Sequence, residues 1–102
     1  MKIGVSLYSF HAYANEDNLG MKGCIAKAKE IGCEGVDFIE TQHDSQEAYI
    51  EHARDIGSYC KEVGIEPVCF CVGSDFLNGS GGDTDAEIER VKGRVDIAAA
   101  YG

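Results

Sequence analysis

Apolar residues recur along this chain with two alternating periods. Short stretches repeat every second residue, longer ones every third or fourth, and the two kinds take turns from the first residue to the last. In Lys2–Tyr8 the bulky Ile3, Val5 and Leu7 alternate with Gly4, Ser6 and Tyr8, which predicts a strand. Its bulky face is expected under helices, and its small, polar face toward a confined interior. Asn18–Ile31 follows helical spacing, with Met21, Cys24, Ile25, Ala28 and Ile31 on one stripe, Asn18 as N-cap and Gly32 as the left-handed residue past the end. A second strand is expected over Gly35–Glu40. If Glu40 faces the interior, so do Val36 and Phe38, with Asp37 and Ile39 outward. Asp44-x-x-Glu47 predicts a capping box for the second helix, whose stripe is Tyr49, Ala53, Ile56, Cys60 and Val63 and whose stop is Gly64. Pro67–Val72 is apolar on both faces, as expected for a parallel strand covered on both sides. After the loop Gly73–Asp83, Thr84-x-x-Glu87 predicts a further capping box, and Ile88, Val91, Val95 and Ala98 the stripe of a third helix.

The junctions repeat. Lys29-Glu30-Ile31-Gly32 returns as Lys61-Glu62-Val63-Gly64, a shift of 32 residues, and Asp96–Gly102 begins a third copy. Three βα units with strands alternating with amphipathic helices predict a parallel sheet with right-handed crossovers. A third copy that reaches its glycine where a strand is due suggests a piece of something longer. An open doubly wound sheet would carry a glycine-rich turn after its first strand. Here Ser9-Phe10-His11-Ala12-Tyr13 stands in that place, so a dinucleotide site is not expected. Gly79, Gly81 and Gly82 precede a helix, but Asp83 and Asp85 beside them would repel an anion, and a plain loop is the expectation. Polar groups gather instead at the carboxyl ends of the strands: Tyr8 with His11, Glu40 with His43, and Ser74 with Asp75. That is where a (β/α)8 barrel places its active site, and such a barrel takes about 250 residues. The fold expected is therefore α/β, three consecutive βα units forming the first part of a TIM barrel, truncated before strand four.

Composition adds exclusions. The chain has 102 residues, 44% of them apolar, which suits one small globular unit. Nine Lys and Arg against eighteen Asp and Glu give a formal charge of −9, which opposes nucleic-acid binding. No apolar run spans a bilayer, and Lys2-Ile3-Gly4-Val5-Ser6-Leu7 is too short and polar for a secretory leader, so a cytoplasmic location is expected. The five cysteines, Cys24, Cys33, Cys60, Cys69 and Cys71, match no disulfide framework. Reduced, buried thiols are expected, without a zinc or redox role.

Lys2–Phe10 resembles the first strand of the sugar phosphate isomerase/epimerase family, the xylose isomerase-like TIM barrels. Ala28–Glu40 is similar to that family's junction of first helix and second strand. Ser74-Asp75-Phe76, Glu89-x-Val91-Lys92 and Asp96–Gly102 are similar to its third loop and helix. The resemblance spans residues 1–102 and implies an enzyme of carbohydrate metabolism that moves a proton between adjacent carbons of a sugar, sugar phosphate or polyol ketone. It also implies a divalent metal held by two Glu, an Asp or Glu and a His on strands four and later. No position here inherits a metal-ligand or catalytic role, and the 102 residues alone are expected to be inactive. What the resemblance carries over is one wall of a substrate pocket: Tyr8, Phe10 and His11 after strand one, Glu40 after strand two, Ser74 and Asp75 after strand three. His43 and His52 are read as surface residues. Two further readings stay open at this point. One is a non-catalytic binding or assembly module that pairs open sheet edges with a partner or a second copy. The other is an inosose dehydratase or isomerase of the same fold. An abasic-site endonuclease branch with a zinc cluster is disfavoured by the charge.

Overall fold

The computed structural model of the chain describes residues 1–10 and 19–102. Strand β1 (Gly4–Ser6) runs into a 3₁₀ turn, Leu7–Phe10. Helix α1 (Gly20–Glu30), strand β2 (Gly35–Ile39), helix α2 (Gln46–Val63), strand β3 (Glu66–Cys71), a 3₁₀ turn (Gly79–Gly82) and helix α3 (Thr84–Tyr101) follow. The strands form one parallel sheet in the order β1-β2-β3. The protein is thus an α/β fold of consecutive βα units. The proposed N-cap Asn18 and the loop residue His11 lie outside the described residues.

The 32-residue repeat is visible as hydrogen bonds. After α1, Gly32 takes φ +99°, its N–H donates to Lys29 and the Cys33 N–H donates back to Ala28. After α2, Gly64 takes φ +79° and the Ile65 N–H donates back to Cys60. Only glycine takes this conformation without strain, and it turns the chain so that the last helical carbonyls are satisfied. The next residue then joins the sheet: Glu34 N–H donates to Ile3, and Glu66 N–H donates to Glu34. Gly102, at φ +97°, donates to Ala99 as Gly32 does to Lys29.

The core lies between one face of the sheet and the three helices. Val36 and Phe38 from β2, Ile25 and Ala28 from α1, Ala53, Ile56 and Cys60 from α2, and Ile97 and Tyr101 from α3 are all buried in it. Fully burying a side chain of Phe38's size is worth about 1.5–3 kcal/mol. Phe38 stacks on Tyr101 with ring centroids 4.2 Å apart and planes 6° from parallel. The helices α2 and α3 meet at Gly57, where a Cβ would overlap the Tyr101 carbonyl, so this position has no room for a side chain.

Several local expectations are corrected. The β2 residues Val36 and Phe38 face the helices rather than an interior, and Glu40, in phase with them, faces that way too. The open sheet face carries Asp37 and Ile39, in register with Cys69 and Cys71. Those two thiols are exposed, 3.8 Å apart, while Cys24, Cys33 and Cys60 are buried. Strand β3 is an edge strand, and Val68 is 64% exposed instead of covered. Both expected capping boxes shift by one residue. Ser45 Oγ caps α2 by accepting from Ala48 N–H at 3.0 Å, and the Asp83 carboxylate caps α3 by accepting from Ala86 N–H at 3.0 Å. Tyr49, Ala53, Ile56 and Cys60 do form the buried stripe of α2, with Val63 half-buried beside it. The expected stripe of α3 does not hold: Ile88 and Val95 are exposed, and the buried side of this helix runs through Glu87, Ile97 and Tyr101.

Candidate functional site

Glu40 follows β2 directly, so its side chain leaves the sheet on the helix side. There it meets Arg90 and Arg94, four residues apart on α3 and therefore one above the other. Arg90 Nη1 donates to Glu40 Oε1 at 2.9 Å, and Arg94 Nε donates to the same oxygen. Arg90 also donates from Nε to Glu87 Oε2 at 3.1 Å, from Nη2 to Glu87 Oε1 at 2.9 Å, and from Nη2 to the Gly73 carbonyl. One guanidinium thereby joins the ends of β2 and β3 to the first turns of α3. Arginine suits this because its planar fork offers five donors in fixed directions.

Glu87 is the anchor of the cluster. It is 3% exposed and the only buried charged residue among those described. Its carboxylate accepts from Arg90, from Ser80 Oγ at 2.9 Å and from the Asp75 backbone N–H at 3.3 Å. The Arg90 bonds first, then Ser80 and the Asp75 amide, pull its pKa down to about 2. The same contact with Glu87 raises Arg90.

A polar wall continues from Arg94. Its Nη1 donates to Gln46 Oε1 at 3.3 Å, and its guanidinium carbon lies 5.4 Å from the centre of the Tyr49 ring. Gln46 Nε2 donates to the Gly93 carbonyl at 2.7 Å. Tyr49 Oη accepts from the Thr41 N–H at 2.9 Å. His43 stacks on Tyr49 with centroids 4.1 Å apart and shares a 2.9 Å hydrogen bond between Nε2 and Thr41 Oγ1. His52 lies 4.6 Å from His43, ring to ring. Its Nε2 is buried without a hydrogen-bond partner among the described residues, and burial, then His43, lowers its pKa. Both histidines are half-buried, not the surface residues expected. Glu40, Thr41, Gln42, His43, Ser45, Gln46, Tyr49 and Arg94 line an open cleft of about 620 Å³ at the carboxyl end of β2, within the usual size of a small-molecule site.

The residues expected to line a pocket separate here. Glu40 is in the cleft. Ser74 is exposed on the loop after β3. The Asp75 carboxylate accepts from the N–H groups of Leu77 and Asn78, both at 3.0 Å, and so shapes its own turn, while its backbone N–H reaches Glu87. Tyr8 is exposed beyond the end of β1, and its N–H donates to Ser6 Oγ at 3.3 Å. Phe10 is buried in the core. His11 lies outside the described residues. Sequence reasoning missed Arg90, Arg94, Glu87, Gln46 and Tyr49 as site residues. The available signal was the spacing of Glu87, Arg90 and Arg94, which share one helical face.

Among the described residues, no three His, Cys, Asp or Glu side chains are grouped so as to hold a metal ion, and no helix is long and apolar enough to cross a membrane. The site's chemistry, as it stands, is hydrogen bonding and charge: one half-buried carboxylate, one guanidinium with donors to spare, two amides, hydroxyls and an imidazole. No protein-family model, no curated protein and no solved structure matches the chain.

Proposed function

We propose that the chain is the opening part of a (β/α)8 barrel of the sugar phosphate isomerase/epimerase kind, and that its polar rim forms one wall of the site for a sugar or polyol ketone. The observation that carries this reading is the placement of the Glu40 cleft. It opens at the carboxyl end of a parallel strand, the end at which barrels of this class assemble their sites. The parallel order β1-β2-β3 and the repeated hydrogen bonds of each helix-to-strand junction support it as well. In this reading Glu40 accepts substrate hydroxyls, and Arg90 holds it in place against the loop after β3. The described residues offer no donor set for the divalent metal that the resemblance implies, so none of the chemistry assigned to them runs through it. The proton-moving carboxylates and the metal ligands lie on later strands, and these 102 residues alone are inactive.

The test is deuterium exchange. The protein with its later strands is incubated in heavy water with ketoses and aldoses and a divalent cation, and the sugars are followed by NMR. Exchange at the carbon next to the carbonyl is the expected result. No exchange with any of them overturns the reading.

A second reading rests on the exposed apolar residues. Val68 on the free edge of β3 and Val95 on α3 are 64% and 65% exposed, and Ile88 stands on the same side of α3. In a barrel the next βα unit covers them. In an assembly module a second copy does. Light scattering separates the two: a discrete dimer of the 102-residue chain favours the module.

A further inference from the structure

We infer that the cleft beside Glu40 recognises an uncharged polyol through two neighbouring hydroxyls, and selects against the phosphorylated form of the same sugar. This rests on the sugar-enzyme reading above and narrows it, because that reading does not say whether the sugar carries a phosphate.

The argument is one of charge and of unused hydrogen-bonding capacity. Two carboxylates, Glu40 and Glu87, face two guanidiniums, Arg90 and Arg94, so the cluster is balanced. Arg90 spends Nε, Nη1 and Nη2 on Glu87, Glu40 and the Gly73 carbonyl. A phosphate entering here would find unused donors on Arg94 alone, directly beside the Glu40 carboxylate that repels it, and any donor of Arg90 would have to be taken from a carboxylate or carbonyl already bound to it. Stripping a partly buried ion pair of one partner is strongly unfavourable. The overall formal charge of −9 adds to the opposition.

A hydroxyl pair asks for less. Glu40 receives both arginines on Oε1, and Oε2 has no partner among the described residues. Arg94 uses Nε and Nη1, and its Nη2 likewise has no partner among the described residues. One carboxylate oxygen and one guanidinium nitrogen thus remain on two groups held together by their own ion pair. Each hydroxyl brings one donor and two acceptor sites, so neighbouring hydroxyls can satisfy both at once. Gln42, exposed on the cleft wall, adds an amide able to meet either end of a further hydroxyl. Hydrogen bonds to charged groups are stronger than those between neutral ones, which suits them to hold an uncharged ligand.

The experiment is an NMR titration of the protein with myo-inositol, D-ribose and D-ribose 5-phosphate, reading the Thr41 and Gln42 amides and the Arg94 side chain. Saturable shifts with the two neutral compounds, and no tighter binding by the phosphate, are expected. Glu40→Gln should weaken the neutral sugars by about tenfold. If that variant unfolds, Gln42→Ala carries the test, since its side chain makes no hydrogen bond in the fold among the described residues, and weaker binding by it supports the inference. Tighter binding of D-ribose 5-phosphate overturns the inference and leaves the isomerase reading standing. Absence of shifts at the cleft with every compound overturns it too. The isomerase reading itself fails only by the absence of deuterium exchange.

Discussion

The two halves of α3 pack against the same neighbours by opposite means. One stripe runs down the helix through Glu87, Arg90, Arg94, Ile97 and Tyr101, at steps of three and four. Its second half is apolar: Ile97 is fully buried and Tyr101 lies flat on Phe38. Its first half is ionic, held by directed hydrogen bonds to Glu40, Gln46, Ser80 and the backbone of the β3 loop, with the Arg94 guanidinium lying over the Tyr49 ring. Burial of apolar area is non-directional and supplies stability. A guanidinium fork holds its partners at fixed angles and positions them. One helix therefore closes the core at its end and fixes the rim of the cleft at its start.

The largest expected effect lies in the apolar half. Phe38→Ala removes the ring under Tyr101 and should cost about 3–5 kcal/mol in urea denaturation, enough to unfold a marginal domain. Gly57→Ala places a methyl group against the Tyr101 carbonyl and should cost about 1–3 kcal/mol in the same assay. At the ionic end, Asp83→Ala removes the cap of α3, and Ser45→Ala the cap of α2. Each should cost about 1 kcal/mol, and Asp83→Ala should also loosen the Glu87 cluster, seen as faster amide exchange at Asp75. The smallest effect carries the opposite sign. The Tyr101 hydroxyl is buried without a hydrogen-bond partner among the described residues, and burial, then the neighbouring Tyr49, raises its pKa. Tyr101→Phe keeps the stacking and removes an unpaired polar group, so the midpoint of denaturation should stay or rise, by about 1 kcal/mol at most. A fall would mean that the hydroxyl has a partner in solution.

Those same two halves explain what the chain revealed of itself. The stripe of α2 and both glycine stops were legible because each uses one signal, helical spacing of apolar residues or a glycine past a helix end. The stripe of α3 was not, since three of its five members are charged, and the apolar set Ile88, Val91, Val95 and Ala98 offered a better-looking alternative. The caps fell one residue away because Asp44 and Ser45, like Asp83 and Thr84, are adjacent residues both able to cap. Geometry alone chose between them, and Thr84 Oγ1 donates to the Phe76 carbonyl instead. The partners of Glu40 are arginines 50 and 54 residues further along, a distance no local pattern reports.

The most direct test of the clamp that holds the cleft is the titration of Glu87. Its folded pKa lies below the ordinary carboxylate value of 4.5, at about 2. Its share of stability is therefore complete above about pH 4.5 and is lost as pH falls toward 2. An earlier acid loss, below 6.5, comes from His52, whose lowered pKa means that the unfolded chain takes its proton first. Following the Glu87 side-chain carboxyl by carbon NMR against pH separates the two. A midpoint near 2, moving toward 4.5 in Arg90→Gln, is the result predicted. A midpoint near 4.5 in the unaltered protein would mean that Arg90, Ser80 and the Asp75 amide do not converge on this carboxylate, and the clamp would not exist.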